Sequence, residues 1–161
     1  RQRQSTWAGY AGAVGSAIGK QVTGDGGSQT VYLGEAPGSR TWLMDVCPPY
    51  EKDHLDTDSA TFKMDGETYT HGFSSWAGFN TGFGLFNLNG NYDTLSCDIG
   101  HIVGDSGFDK QIEIYLDGDL SLLIELPKES LVKHFNIPLR NVLQMKIITN
   151  GGIGFANCEL S

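Results

Sequence analysis

The stretch most able to do chemistry is His71-Gly72-Phe73-Ser74-Ser75-Trp76-Ala77-Gly78-Phe79-Asn80-Thr81-Gly82-Phe83, where aromatic rings alternate with glycines and small polar residues. A sugar ring offers one apolar C–H face and a rim of hydroxyls. Its receptor needs a flat aromatic plus a few fixed donors and acceptors in a shallow site. Trp76 can supply the platform, with His71, Ser75 and Asn80 on the rim. The competing reading places these rings in a core. It is favoured for Phe73, Phe79 and Phe83 and evenly balanced for Trp76. A second polar cluster, Pro48-Pro49-Tyr50-Glu51-Lys52-Asp53-His54-Leu55-Asp56, reads as a long loop. Tyr50, Glu51 and Lys52 there are further candidates for hydrogen bonds to a ligand, because such loops commonly carry binding residues.

Other chemistry has little support. The turn Asp105-Ser106-Gly107-Phe108-Asp109 presents two carboxylates, Asp105 and Asp109, as candidate ligands for a structural calcium ion, without the pattern of an EF-hand loop. Gly15 to Lys20 has the wrong spacing for a phosphate loop, and Gln21 stands where a magnesium-binding hydroxyl belongs. No Gly-x-Ser-x-Gly elbow occurs, and His54, His71, His101 and His134 are scattered. A hydrolase would need two carboxylates brought together in space. The sequence therefore reads as non-enzymatic, with no cofactor beyond the calcium candidate.

The elements that must position these residues are short strands. Asp65-Gly66 separates Phe62–Met64 from Glu67–Thr70, Asn89-Gly90 separates Gly84–Leu88 from Tyr92–Ile99, and Asp117-Gly118 separates Gln111–Leu116 from Leu120–Leu126. Asn-Gly and Asp-Gly adopt the two successive positive φ values of a type I′ turn, so three hairpins are expected. Leu95, Cys97 and Ile99 alternate with polar residues, as do Ile112, Ile114 and Leu116. That period of two buries one face of an antiparallel sheet. Further strands are expected at Val31–Leu33, Phe135–Pro138, Leu143–Thr149 and Ile153–Leu160, with a short helix around Lys128–Lys133. Eight or so strands form an all-β antiparallel β-sandwich of jelly-roll type.

The chain has 161 residues, which is one domain with length to spare. Seven of its 22 glycines fall in residues 1–30, which read as a Gly/Ala-rich linker or tail; one weak helix over Tyr10–Gly19 is conceivable there. Residues 31–161 form the folded module. The net charge of −8 argues against nucleic acid, and no apolar run is long enough to insert in a membrane as a helix. Cys47, Cys97 and Cys158 include no CxxC pair; Cys97 and Cys158 sit on inward positions, where a disulfide and two buried thiols fit equally well. The chain starts at Arg1, and we expect it to be a processed piece of a larger protein.

The order of features resembles a known family. Trp42-Leu43-Met44-Asp45-Val46 is followed by a polar loop, Phe62-Lys63-Met64-Asp65-Gly66-Glu67-Thr68-Tyr69 and His71-Gly72-Phe73. Then come Leu85-Phe86-Asn87-Leu88-Asn89-Gly90-Asn91-Tyr92-Asp93-Thr94-Leu95, Asp98-Ile99-Gly100-His101 and Ile114-Tyr115-Leu116-Asp117-Gly118. Over residues 41–160 this run is similar to the NPCBM modules, also designated carbohydrate-binding module family 51. The resemblance implies a galactose-binding-like jelly roll and a non-catalytic role beside other domains of a bacterial, extracellular or cell-surface parent protein. It further implies binding of galactose-type glycans through loops at one end of the sandwich. Two departures stand out. Ser75-Trp76 replaces the His-Ala that often follows the second hairpin motif, and Cys47-Pro48-Pro49 occupies a loop that usually carries Trp. The alternative function is a protein-interaction or structural module on the same fold, with Trp76 packed in the core.

Overall fold

The computed structural model describes residues 40–58 and 61–161, with the backbone of two short strands before them. The chain divides into two compact units, Arg1–Arg40 and Thr41–Ser161. In the first, β1 (Thr23–Gly24) pairs antiparallel with β2 (Gly27–Ser28). The helix expected over Tyr10–Gly19 and the strand over Val31–Leu33 lie outside the described residues, as does the rest of the tail.

The second unit opens on one helical turn, α1 (Leu43–Val46). Twelve strands follow: β3 (Glu51–Asp53), β4 (Leu55–Asp56), β5 (Phe62–Met64), β6 (Glu67–Tyr69), β7 (Phe73–Ser75) and β8 (Thr81–Asn87), then β9 (Thr94–His101), β10 (Lys110–Leu116), β11 (Asp119–Leu126), β12 (Lys133–Pro138), β13 (Gln144–Asn150) and β14 (Ile153–Leu160). Ten of them form two five-stranded sheets, in the orders β11-β10-β13-β8-β3 and β12-β9-β14-β7-β4. Every pairing is antiparallel. The unit Thr41–Ser161 is an antiparallel β-sandwich with one helical turn.

Its core is what the period-two pattern implies. Leu95, Cys97 and Ile99 of β9 face Ile112 and Ile114 of β10 and Met145 and Ile147 of β13 across the inter-sheet space, all essentially without exposure. Phe73 sits at the centre, stacked on Phe155 with ring centroids 4.5 Å apart and tilted against Phe86 at 5.7 Å. In β14 a bulge between Ala156 and Glu159, with Asn157 at φ 50°, reverses the inward parity. Ile153 and Phe155 point inward before it and Cys158 and Leu160 after it, each nearly fully buried. Cys97 and Cys158 are free thiols on neighbouring strands. A hydrogen bond to Cys97, reinforced by burial, holds the Cys158 thiol well above the ordinary range.

Glycine spacing also fixes how the β5–β6 hairpin docks. Gly100 and Gly154 are register partners, and a Cβ on Gly154 would stand 2.7 Å from both Met64 Sδ and Phe62 Cε2. Their bare backbones leave the groove that buries Met64 completely. Gly72 is tighter still, since a Cβ there would meet the Phe155 carbonyl oxygen at 1.6 Å.

The structure corrects several sequence expectations. Asp65-Gly66 and Asp117-Gly118 close true hairpins, with φ of 52° and 78° in the first and 51° and 90° in the second. Asn89-Gly90 has the same conformation, 57° and 71°, yet β8 and β9 do not pair; they belong to opposite sheets. The turn's amides donate to Leu143 and Val142 instead, so it becomes an inter-sheet corner. No helix forms at Lys128–Lys133. Glu129 takes φ 61°, Ser130 N donates to Pro127 O, and β12 begins at Lys133. Those residues must cross from the edge of one sheet to the edge of the other, and extended chain covers about twice the distance per residue that a helix does. The polar run 48–56 is not one long loop either: β3 and β4 within it pair with β8 and β7.

Candidate functional site

One end of the sandwich gathers the C-terminal ends of β3, β7, β9 and β13 and the N-terminal ends of β4, β8, β10 and β14. Here His54, at φ 54°, turns the chain from the edge of one sheet to the edge of the other. Trp76 follows β7 directly, its backbone amide donating to His54 O at 3.0 Å. The His54 ring meets the indole edge-on, centroids 4.6 Å apart at 83°. Trp76 is 52 % exposed, so the core placement is set aside for this ring.

Trp76 walls an open cleft of about 570 Å³ lined also by Lys52, Leu55, Asp56, Asp58, Ser74, Ser75 and Ala77. That volume lies within the range of small-ligand sites. The cleft has an apolar plane, an ammonium group, two carboxylates and a hydroxyl, which together can meet a C–H face and hydroxyls of both donor and acceptor character. Lys52 Nζ donates to Thr57 Oγ1 at 2.7 Å, and Asp58 N donates to Asp56 Oδ1 at 3.1 Å, so the cleft's own groups are held in place.

The loop carrying Trp76 is fixed from below by a buried ion pair. Lys110 lies on the inward face of β10, its side chain wholly unexposed, with Nζ 3.2 Å from Asp105 Oδ2. It donates also to Gly152 O at 2.8 Å and to the Asp105 carbonyl. Asp105 Oδ2 in turn accepts from Gly78 N at 3.1 Å and Gly152 N at 2.7 Å. One pair thus ties the loops 76–80, 102–109 and 150–152 together. Burial pushes the Lys110 ammonium down from its ordinary range, and Asp105 partly restores it. Ser75 completes the anchorage: its hydroxyl donates to Gly151 O and accepts from Ile153 N at 2.9 Å. Ser75 lines the cleft as expected, but at 5 % exposure its hydroxyl is taken up by this anchorage.

The structure brings Trp76, Lys52 and Ser75 to one cleft and disperses the other candidates. Asn80 lies on the same loop, where its Nδ2 donates to Ala77 O at 2.7 Å and closes the turn. His71 stands at the opposite end of β7, stacked on Trp42 at 4.0 Å. Tyr50 accepts a hydrogen bond from the Gln144 side chain, and Glu51 faces out from edge strand β3. Phe73 is core as expected, but Phe79 is not: it is 85 % exposed. A glycine-flanked loop bound by backbone hydrogen bonds to Gly151 and Asp105 leaves that ring nowhere inward to go. Of the calcium candidates, Asp105 is engaged by Lys110, and Asp109 Oδ1 accepts from Lys128 N at 2.7 Å. Among the described residues no cluster of three or more metal-ligating side chains forms. His54, Asp56, Asp58 and Ser74 carried no separate signal as site residues; what assembles them is the pairing of β4 with β7.

The fold is that of the family 51 carbohydrate-binding modules. The second such module of Clostridium perfringens ZmpB, solved with its INT domains and GlcNAc, superposes at TM-score 0.62 and 14% identity, covering 76% of this chain and 31% of that one. A family 51 module from a C. perfringens family 95 glycoside hydrolase, solved with methyl-galactose, gives 0.58 and 15%, covering 76% of this chain and 100% of that one. A larger ZmpB piece with the M60 catalytic domain and both modules gives 0.60 and 14%, covering 81% and 17%. The chain thus spans less than a third of the ZmpB structures it matches. No protein-family model and no curated protein matches the sequence.

Proposed function

We propose that Thr41–Ser161 is a non-catalytic module that binds a glycan of galactose type, with Trp76 stacking on the sugar face and Lys52, Asp56, Asp58 and Ser74 contacting its hydroxyls. The observation that carries this reading is the half-exposed indole set as the wall of a cleft whose other sides are polar. A ring already held by His54 and by its own backbone hydrogen bond loses little conformational freedom when a ligand lands on it. Similar modules were solved with methyl-galactose and GlcNAc, which supports the ligand class. Their place in larger clostridial proteins supports an extracellular role beside other domains of a bacterial parent protein.

Titration calorimetry against methyl-galactoside, N-acetylglucosamine and their oligomers tests the proposal. We expect binding to one class, weakened at least tenfold in Trp76→Ala, about 1.4 kcal/mol or more. Absence of heat with every glycan, or binding indifferent to Trp76→Ala, overturns it.

A further inference from the structure

The loop that presents Trp76 presents a second ring on its other flank. Phe79, at 85 % exposure, is the most open of the large apolar side chains among the described residues. It is not loose. Gly151 N donates to Asn80 O at 2.8 Å, Asn80 Nδ2 donates to Ala77 O, and Gly78 N donates to Asp105, so the backbone on both sides is pinned. The ring rests on Phe108, centroids 4.6 Å apart at 33°. Phe108 is backed in turn by the Lys110 ammonium 5.0 Å from its centroid. A second depression of about 180 Å³, lined by Thr81, Gln111, Glu113, Ile148, Thr149 and Asn150, opens where β8, β10 and β13 meet; Thr81 follows Phe79 by two residues and Gln111 follows Phe108 by three. The Asn150 side-chain oxygen accepts from Gln111 N at 2.6 Å, and Glu113 accepts from the Tyr115 hydroxyl at 2.8 Å. Those bonds orient the lining and leave the amide protons of Asn150 and the carboxamide of Gln111 available to a ligand.

We infer that Phe79 and Phe108, with Thr81, Gln111 and Asn150, form a second sugar subsite. The ligand is then a chain of linked sugars that crosses the end of the sandwich, rather than one terminal residue. This rests on the Trp76 cleft being the first subsite. Two residues, Ala77 and Gly78, separate Trp76 from Phe79, so their backbones are at most about 11 Å apart. Two or three linked sugars can bridge it. Like the first cleft, the second subsite joins an exposed aromatic plane to hydrogen-bonding side chains, here amides in place of charged groups, and continuity along one pinned loop is what selects a further sugar unit as the occupant.

The test compares methyl-galactoside with galactobiose and galactotriose, and N-acetylglucosamine with its dimer and trimer, by calorimetry on the full chain. Phe79→Ala and Gln111→Ala alter exposed groups and are checked for an unchanged melting temperature. We expect the trimer of the bound class to bind at least tenfold more tightly than the monomer. Phe79→Ala should erase that gain and leave monomer affinity as it was, Gln111→Ala should reduce it, and Trp76→Ala should lower both. Equal affinity for monomer and trimer overturns the second subsite while the Trp76 cleft stands. So does a chain-length gain that survives Phe79→Ala, or self-association abolished by Phe79→Ala with no change in oligosaccharide binding. Failure of every sugar to bind the unaltered chain overturns both readings.

Discussion

At the scale of single residues, one buried group holds the site and one partly buried group, at the other end of the sandwich, responds to alkali. Lys110 is the more demanding, since its ammonium has no exposure and Asp105 is its ion partner. Lys110→Met removes the cation but leaves Asp105 partly buried between loops, a loss of about 3–5 kcal/mol. We expect the urea midpoint to fall with little change in slope, and the Trp76 cleft to lose affinity as its loop loosens. Tyr92 contributes to alkaline behaviour alongside the buried Cys158 thiol. Burial, with Cys47 beside it, raises its phenol from 10.0 to about 12. The folded chain therefore holds this proton where the unfolded chain has released it. Stability from Tyr92 is complete below pH 10 and drains away as pH rises toward about 12. Tyr92→Phe should make the fall across that window shallower, as read from denaturation midpoints taken at successive pH values. Legibility at this scale was uneven. Trp76 stood out by type and spacing, but nothing in its neighbours separated a core ring from an exposed one. The turn at His54 and the pairing of β4 with β7 decided that.

Among elements, the lesson lies in two dipeptides of the same chemistry. Asp117-Gly118 and Asn89-Gly90 both adopt two positive φ values, and only the first joins paired strands. Local sterics set the turn; the partner of each strand is set by which face must be buried and where the next strand lies. Gly118 has φ 90°, a conformation costly for any residue with a Cβ and more so for a branched one. Gly118→Val should cost about 1–3 kcal/mol, seen in chemical denaturation, with glycan affinity unchanged. The β10–β11 turn lies at the end of the sandwich away from Trp76, so stability and binding separate in this variant. The expected helix at Lys128–Lys133 failed for a related reason. Lys128, Glu129, Leu131 and Lys133 favour a helix, but six residues are too few to nucleate a stable one, and the need to cross between sheets prevailed.

At the scale of the molecule, the core residues among those described all lie between Leu43 and Leu160. The fragment Thr41–Ser161 should therefore fold cooperatively by itself and bind the same glycan as the full chain within about twofold. Circular dichroism melting and parallel calorimetry check this. An acidic surface, net charge −8, is compatible with a neutral ligand held by stacking and hydrogen bonds, and affinity should vary little with salt.

The amino-acid sequence by itself determined the class of fold. Period-two alternation and three glycine turns follow from backbone sterics and burial, which act over a few residues and are legible in order. It also marked the aromatic-glycine loop as the place to look. Only the tertiary structure decided what that loop does. Residues 52, 56, 58, 74 and 76 are brought to one cleft by strand pairings between distant segments. His71, five positions from Trp76, is carried to the far end of β7 to stack on Trp42. The glycines of the sandwich prove to be of two kinds, those that turn the chain and those, such as Gly72 and Gly154, that let two backbones or a hairpin approach. The first kind depends on φ and is local. The second depends on what packs opposite, which no stretch of chain contains.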